Sequence, residues 1–352
     1  MGIGSVLALG VERIIAPVED IHSLIARRWL GRLGPLGRHV GPPYEAAIRF
    51  VYGSVRLGTA AVGAGLDRVL TVEPVTLDAL RSWTNGFFGD GLGRHETRLG
   101  TSMIVPESPG SDITGHLVVL VHGLGKTEHC WEGPPNGTGL AQSLADHPRL
   151  TPVSIRYNTG RSVADNGELL AALLEELTAA WNVPIESIAL VGHSMGGLVA
   201  AEAHATGRRA GRTWAGHVTD IVAIGTPHWG APLEKLVVGV ARGLAAFGTT
   251  RPLAEFVDGR SAGIKDLGFV KAEPDALPPR VRYHLIAGVV TPDPAHPVGR
   301  IAGDLMVRTT SSTRPRVAEA TNTVIVGGVT HFDLTDAPAV VDQVMEWLEP
   351  PE

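Results

Sequence analysis

The chain holds a single cysteine, little lysine and no long apolar run, and each shortage removes a class of explanation. Cys130 stands alone among 352 residues, so no disulfide can form within the chain and no CxxC metal or redox pair exists. That usage fits a cytoplasmic protein. Lysine occurs at four positions (Lys126, Lys235, Lys265, Lys271) against 26 arginines, and the formal net charge is −6, so no electrostatic case exists for a nucleic-acid partner. Arg49, Arg56, Asp67 and Arg68 interrupt the most apolar N-terminal region, which leaves no stretch of the roughly 18 residues a spanning helix needs. The first twenty residues lack a basic region ahead of a long apolar run, which argues against a cleaved signal peptide, and Val6 occupies the position where N-myristoylation needs Ser or Thr. No run of His, Asp and Glu has a metal-ligand spacing, and no metal or other cofactor is expected.

What is present is an ordinary globular composition, 44% hydrophobic and 19% charged, in a length that suits one large domain with an appendage. Residues 1–95 read as a helical extension broken by Gly and Pro, notably from Gly31 to Pro43. A helix from Tyr44 to Leu70 would carry Val51, Val55, Val62, Leu66 and Val69 near one face. Two uses of that stripe stay open: packing on the main domain, or peripheral contact with a membrane or a partner. Residues 96–352 form the second region, in which apolar strands alternate with helices, the pattern of a parallel sheet covered on both faces. Strands are expected at 98–105, 117–121, 152–157, 187–191, 219–224, 281–287 and 322–326. The clearest helices are Gly167–Trp181 and Ala339–Leu348. The segment 231–280 is far longer than a usual crossover and reads as a helical cap insertion with an apolar face.

The most informative stretch is Ser187–Val199, SIALVGHSMGGLV, where an apolar strand runs through Gly192-His193-Ser194-Met195-Gly196 into a helix-compatible segment. A serine hydroxyl is a weak nucleophile, and a sharp strand-to-helix turn lifts it toward a base and toward oxyanion donors. With 44 Gly and 15 Ser, chance alone supplies about 0.2 such patterns in a chain of this length, so the flanking strand and helix must carry the assignment.

A tetrahedral oxyanion needs two converging backbone donors, one after the nucleophile and one from an earlier strand-end loop. Met195 and Leu124 occupy those places, the latter in the turn of HLVVLVHGLG. His122, Gly123, His193 and Trp229 are expected at the substrate pocket, His193 also serving as packing or support for the turn. Among 14 histidines, His331 stands apart because it follows the last strand and precedes the C-terminal helix, the place of a general base. The orienting acid must fall between Ser194 and His331. Asp304 is the choice and Asp293 its rival, whereas Asp220 precedes its strand and belongs to the opposite edge of the sheet.

These blocks resemble the α/β-hydrolase superfamily, and within it a lipase and esterase branch that includes GPI-inositol-deacylase-like and bacterial triacylglycerol-lipase-like proteins. The matching segments are Val118–Gly125, Arg156–Gly160, Leu190–Val199, Ile224–Glu234, Gly303–Val307 and Gly328–Leu334, in order along residues 97–349. The resemblance implies an α/β fold with a mostly parallel central sheet, a Ser194–His331–Asp304 triad, and an oxyanion hole at Leu124 and Met195. Members often carry Gly after the acid, where this chain has Leu305. The expected activity is hydrolysis of a small-molecule or lipid ester through an acyl-serine intermediate. Acyl transfer by the same triad, and a non-catalytic binding module of the same fold, are the alternatives.

Overall fold

In the computed structural model the described residues are 102–107, 112–134, 137–230, 262–268, 280–313 and 321–350, together with 52–59 and scattered positions between 19 and 49. The chain divides into two units, one of Met1–Thr84 with Lys235–Arg260 and one of Asn85–Glu234 with Ser261–Glu352. In the first unit residues 52–59 are helical, in agreement with the helix expected there, and Val55 is exposed. The cap expected over 231–280 lies outside the described residues except for a short helix, Ala262–Gly268, and Arg280.

The second unit is built on six strands: β1 (His116–Val121), β2 (Leu150–Ile155), β3 (Ser187–His193), β4 (Val218–Ile224), β5 (Arg282–Val289) and β6 (Asn322–Gly327). Their order is β2-β1-β3-β4-β5-β6, and every pairing is parallel. Parallel strands need crossovers, which here contain helices α1 (Leu140–Ala145), α2 (Val163–Ala179), α3 (Met195–Arg209), α4 (Ala262–Gly268), α5 (Pro297–Ala302) and α6 (Thr309–Ser312); α7 (Pro338–Leu348) follows the last strand. The near-continuous apolar strands HLVVLV and SIALVGH follow from burial on both faces.

Strand alternation divides the core in two. Leu117, Val119 and Val121 of β1 share a cluster with Leu170 and Leu174 of α2 and Val199 and Ala203 of α3. Val118 and Leu120 point the other way, to Leu140 and Leu144 of α1 and Val340, Val344 and Leu348 of α7. Helix α2 starts where Ser162 accepts a hydrogen bond from the Asp165 amide at 3.0 Å, an N-cap with an acidic first turn.

Six of the seven expected strands are found within a few residues of their expected limits. The exception is 98–105, where the described part makes an isolated antiparallel bridge between Ile104 and Arg156 rather than a strand. Ile104 exchanges both backbone hydrogen bonds with Arg156 at 3.0 Å. The next bonded position, two residues on, is Pro106, which has no N–H to donate, so the ladder stops. No helix among the described residues is long and apolar enough to cross a membrane.

Leu174→Ala removes a fully buried α2 side chain from the larger cluster and is expected to cost about 2–5 kcal/mol. Urea unfolding should show a lower midpoint with an unchanged slope, and an unchanged midpoint would mean that this helix is not held by the core.

Candidate active site

The C-terminal ends of β1, β3, β4, β5 and β6 lie in register, with Val121 opposite Gly192, His193 opposite Ile224, Ile224 opposite Ile286 and Val289 opposite Gly327. Loops leaving those ends are therefore neighbours, although their residues are far apart in the chain. Ser194 is the hinge between β3 and α3, with φ 54° and ψ −123°. A non-glycine residue at positive φ is strained by about 1–3 kcal/mol and persists only where its surroundings impose it. Here the Ser194 amide donates to the Ile224 carbonyl at 2.8 Å, and a Cβ on Gly196 would overlap the carbonyl oxygen of Val121. A side chain at Gly196 would push α3 off the sheet.

His331 follows β6 and is 4% exposed. Its Nδ1–H donates to Asp304 Oδ2 at 2.7 Å, and its backbone N–H donates to the Asp304 carbonyl at 2.9 Å. The other carboxylate oxygen of Asp304 accepts from the amides of Met306 at 3.0 Å and Val307 at 2.7 Å. An acceptor on Nδ1 sets the ring tautomer and leaves Nε2 as the basic nitrogen. No hydrogen bond joins His331 to Ser194 in this state; the bonds of His331 run to Asp304 and, through its carbonyl, to His193.

Asp304 reaches this position by a detour. The chain leaves β5, forms α5 and returns at Gly303, whose carbonyl accepts from the Val290 amide at 3.0 Å. Asp293 sits in an exposed turn and accepts from the Ala295 amide at 2.9 Å, with no bond to His331. Leu305, where the resembling proteins often have glycine, adopts φ 79° and is 68% exposed. The chain keeps the left-handed turn without the residue that makes it easy.

Met195 opens α3, where a backbone N–H has no intrahelical acceptor, and the amide of Leu124 likewise has no acceptor among the described residues. The Leu124 loop is pressed against the serine turn: a Cβ on Gly123 would lie 2.9 Å from His193 Nδ1 and 3.1 Å from Ser194 Cβ. Two residues that sequence reading did not single out hold this loop. Thr159 Oγ1 accepts from the Gly125 amide at 3.1 Å, and Tyr157 donates its hydroxyl to the His122 carbonyl at 2.7 Å while stacking on the His122 ring. Their only signal was membership of the RYNTG block.

His122 and His193 were expected to line the pocket, but both rings are buried behind the serine turn and bonded to backbone. Burial lowers the His122 pKa to about 4 and holds that of His193 well below the usual histidine range. Trp229 is 53% exposed, with its amide donating to Ser311 Oγ at 3.1 Å, and Ser311 in turn donates to the Gly230 carbonyl. Lys126 lies over the Phe332 ring, 5.5 Å from its centroid, and donates to the Phe332 carbonyl and to Thr335. Among the described residues no group of three or more His, Cys, Asp or Glu is placed to hold a metal ion.

A parallel sheet in this order, with a serine turn after β3, an acid beyond β5 and a histidine after β6, is the α/β-hydrolase fold. The family model of the PGAP1-like alpha/beta domain matches residues 154–251, which include the serine turn and the GTPHWG segment. No curated protein sequence matches. Among solved structures, the chain is similar to the mature Bacillus licheniformis lipase BlEst2, at 20% identity over 69% of this chain and 94% of that one, with a TM-score of 0.47. It is also similar to the RedJ thioesterase of the Streptomyces coelicolor prodiginine pathway, at 18% identity over 70% and 93% with a TM-score of 0.43. The lin2722 product of Listeria innocua matches at 18% identity over 67% and 94%, again with a TM-score of 0.43.

Leu305→Gly is expected to stabilise the protein by about 0.5–1 kcal/mol, since relief of the positive φ outweighs the added freedom of the unfolded chain and an exposed leucine packs on little. A higher urea midpoint checks it, and a lower one would mean that the leucine side chain is held by contacts.

Stability is also expected to fall with acid. The folded state holds His122 at about 4 against 6.5 for the free side chain, and His193 and His204 are lowered too. As pH drops from about 6.5 toward 4 the unfolded chain takes up protons that the folded chain refuses, so stability present at neutral pH is lost through that window, by about 1.4 kcal/mol per pH unit and ring. Equal urea midpoints at about pH 7.5 and pH 5 would show that these rings are not held neutral.

Proposed function

We propose that this protein is a serine carboxylic-ester hydrolase of the lipase and esterase type, acting on a small-molecule or lipid ester. The supporting observation is the Asp304–His331 pair, joined by one side-chain and one main-chain bond, with the carboxylate fixed by two further amides, at the same sheet edge as the strained Ser194. His331 Nε2 takes the proton of Ser194 Oγ as that oxygen attacks the acyl carbon. Negative charge builds on the former carbonyl oxygen, where the free amides of Leu124 and Met195 receive it. The tetrahedral species collapses, the alcohol leaves with the proton held by His331, and a water activated by the same nitrogen releases the acid and restores the serine.

Asp304 holds the His331 tautomer and offsets the charge of the imidazolium. With both of its oxygens bonded, it is fixed before substrate arrives. Acyl transfer would use the same groups with an alcohol in place of water, and no observation favours it.

Ser194→Ala and His331→Ala are each expected to lower kcat for p-nitrophenyl esters by about 10⁶-fold, and Asp304→Asn by about 10⁴-fold. Asp293→Asn should leave the rate near wild type. Reaction of the wild-type protein with a fluorophosphonate should label Ser194; an inert serine, or more than a tenth of the activity surviving in Ser194→Ala, would refute the mechanism.

A further inference from the structure

His193 is 1% exposed beside Ser194, and no step of the proposed reaction uses its ring. Its Nε2–H donates to the carbonyl of His331 at 3.0 Å, with the two ring centroids 4.8 Å apart. The main chain of His331 is thus gripped on both sides, its N–H by the Asp304 carbonyl and its C=O by the His193 ring. On its other edge the ring meets the oxyanion loop: Nδ1 has no protein partner and lies against Gly123, the residue before Leu124. A single side chain therefore touches the base loop and the donor loop from a position covalently joined to the nucleophile.

We propose that His193 is a positioning residue that sets the reach of His331 to Ser194 Oγ by fixing the main chain of His331 through its Nε2–H bond. The inference rests on the Ser194–His331–Asp304 reading. No bond joins Ser194 to His331 here, so the rate depends on how closely a fixed His331 Nε2 and the Ser194 hydroxyl can be brought into line. With Nδ1–H held by Asp304, the backbone of His331 is the remaining source of drift, and a misplacement near 1 Å costs about 100-fold in rate. Simple packing would be better served by an apolar side chain of the same size, because burying a polar ring with one nitrogen unpaired carries a desolvation penalty. A neutral ring also suits the place. A second imidazolium this close would oppose the charge that forms on His331 during the reaction.

The test compares His193→Leu, which keeps bulk and loses the donor, with His193→Gln, whose side-chain amide can donate from nearly the same point. His193→Leu is expected to lower kcat for a p-nitrophenyl ester by about 10- to 100-fold with KM changed by less than about twofold, and to slow fluorophosphonate labelling of Ser194 in proportion. His193→Gln should recover kcat to within about fivefold of wild type. Equal losses in both variants, or a Leu variant within twofold of wild type, would overturn the proposal. Nitrogen-15 NMR of the wild-type protein reads the bond without any substitution: an Nε2–H tautomer at His193 is expected, and an Nδ1–H tautomer would overturn the inference even if the leucine variant fails to fold. If the wild-type serine is not labelled at all, the reading of the site fails, while the tautomer still reports on the His193–His331 bond.

Discussion

The site depends on one contact, the seating of the first turn of α3 between the ends of β1 and β4. The absence of a side chain at Gly196 lets the helix meet the Val121 carbonyl, and the bond from the Ser194 amide to the Ile224 carbonyl pulls the turn onto β4. Held from two sides, Ser194 keeps a backbone conformation that an isolated serine would leave at once. The same seating leaves the Met195 amide at an open helix start and brings Gly123 against Ser194 Cβ. The strain at Ser194 and the placement of the candidate nucleophile and oxyanion donors are thus consequences of one packing arrangement.

Two buried Asp–His pairs occur in the described residues, and their differences explain why only one is a candidate for chemistry. At the opposite edge of the sheet, near the strand starts, Asp220 accepts from His284 at 2.8 Å and from Arg282. The second nitrogen of His284 is bonded to Asn322 at 3.0 Å, and its ring stacks on Trp347. Both nitrogens are occupied and no serine turn is near, so the pair ties β4 to β5, β6 and α7. At the other edge Asp304 takes only one nitrogen of His331, and the second has no hydrogen-bond partner among the described residues. Chemistry lies at the strand ends because loops there are free to differ while the sheet fixes their separation.

Histidines around Ser194 divide by environment rather than by distance in sequence. His122 faces Tyr157 and its own loop, His193 faces the His331 carbonyl, and burial keeps both neutral. Neither offers its ring to solvent: His122 is closed in by Tyr157 and its own loop and His193 by the His331 main chain, so neither ring lines an open pocket as expected.

Periodicity and local chemistry in the sequence were enough to determine the parallel sheet and the serine turn and to nominate Ser194, Asp304 and His331 in that chain order, because the strands are written in short apolar runs and the turn in glycines beside a serine. The flanking residues already favour Asp304 over Asp293, but only the folded chain shows that Asp304 reaches His331 while Asp293 bonds within its own turn. The choice turns on how the chain folds back at Gly303, a detour of about a dozen residues that no local pattern encodes. Tertiary structure alone also decided that Leu305 adopts the left-handed turn, that Pro106 ends the first pairing, and that Thr159 and Tyr157 brace the Leu124 loop. Those outcomes depend on which groups meet across the sheet edge, and a linear pattern carries no information about partners more than thirty residues away.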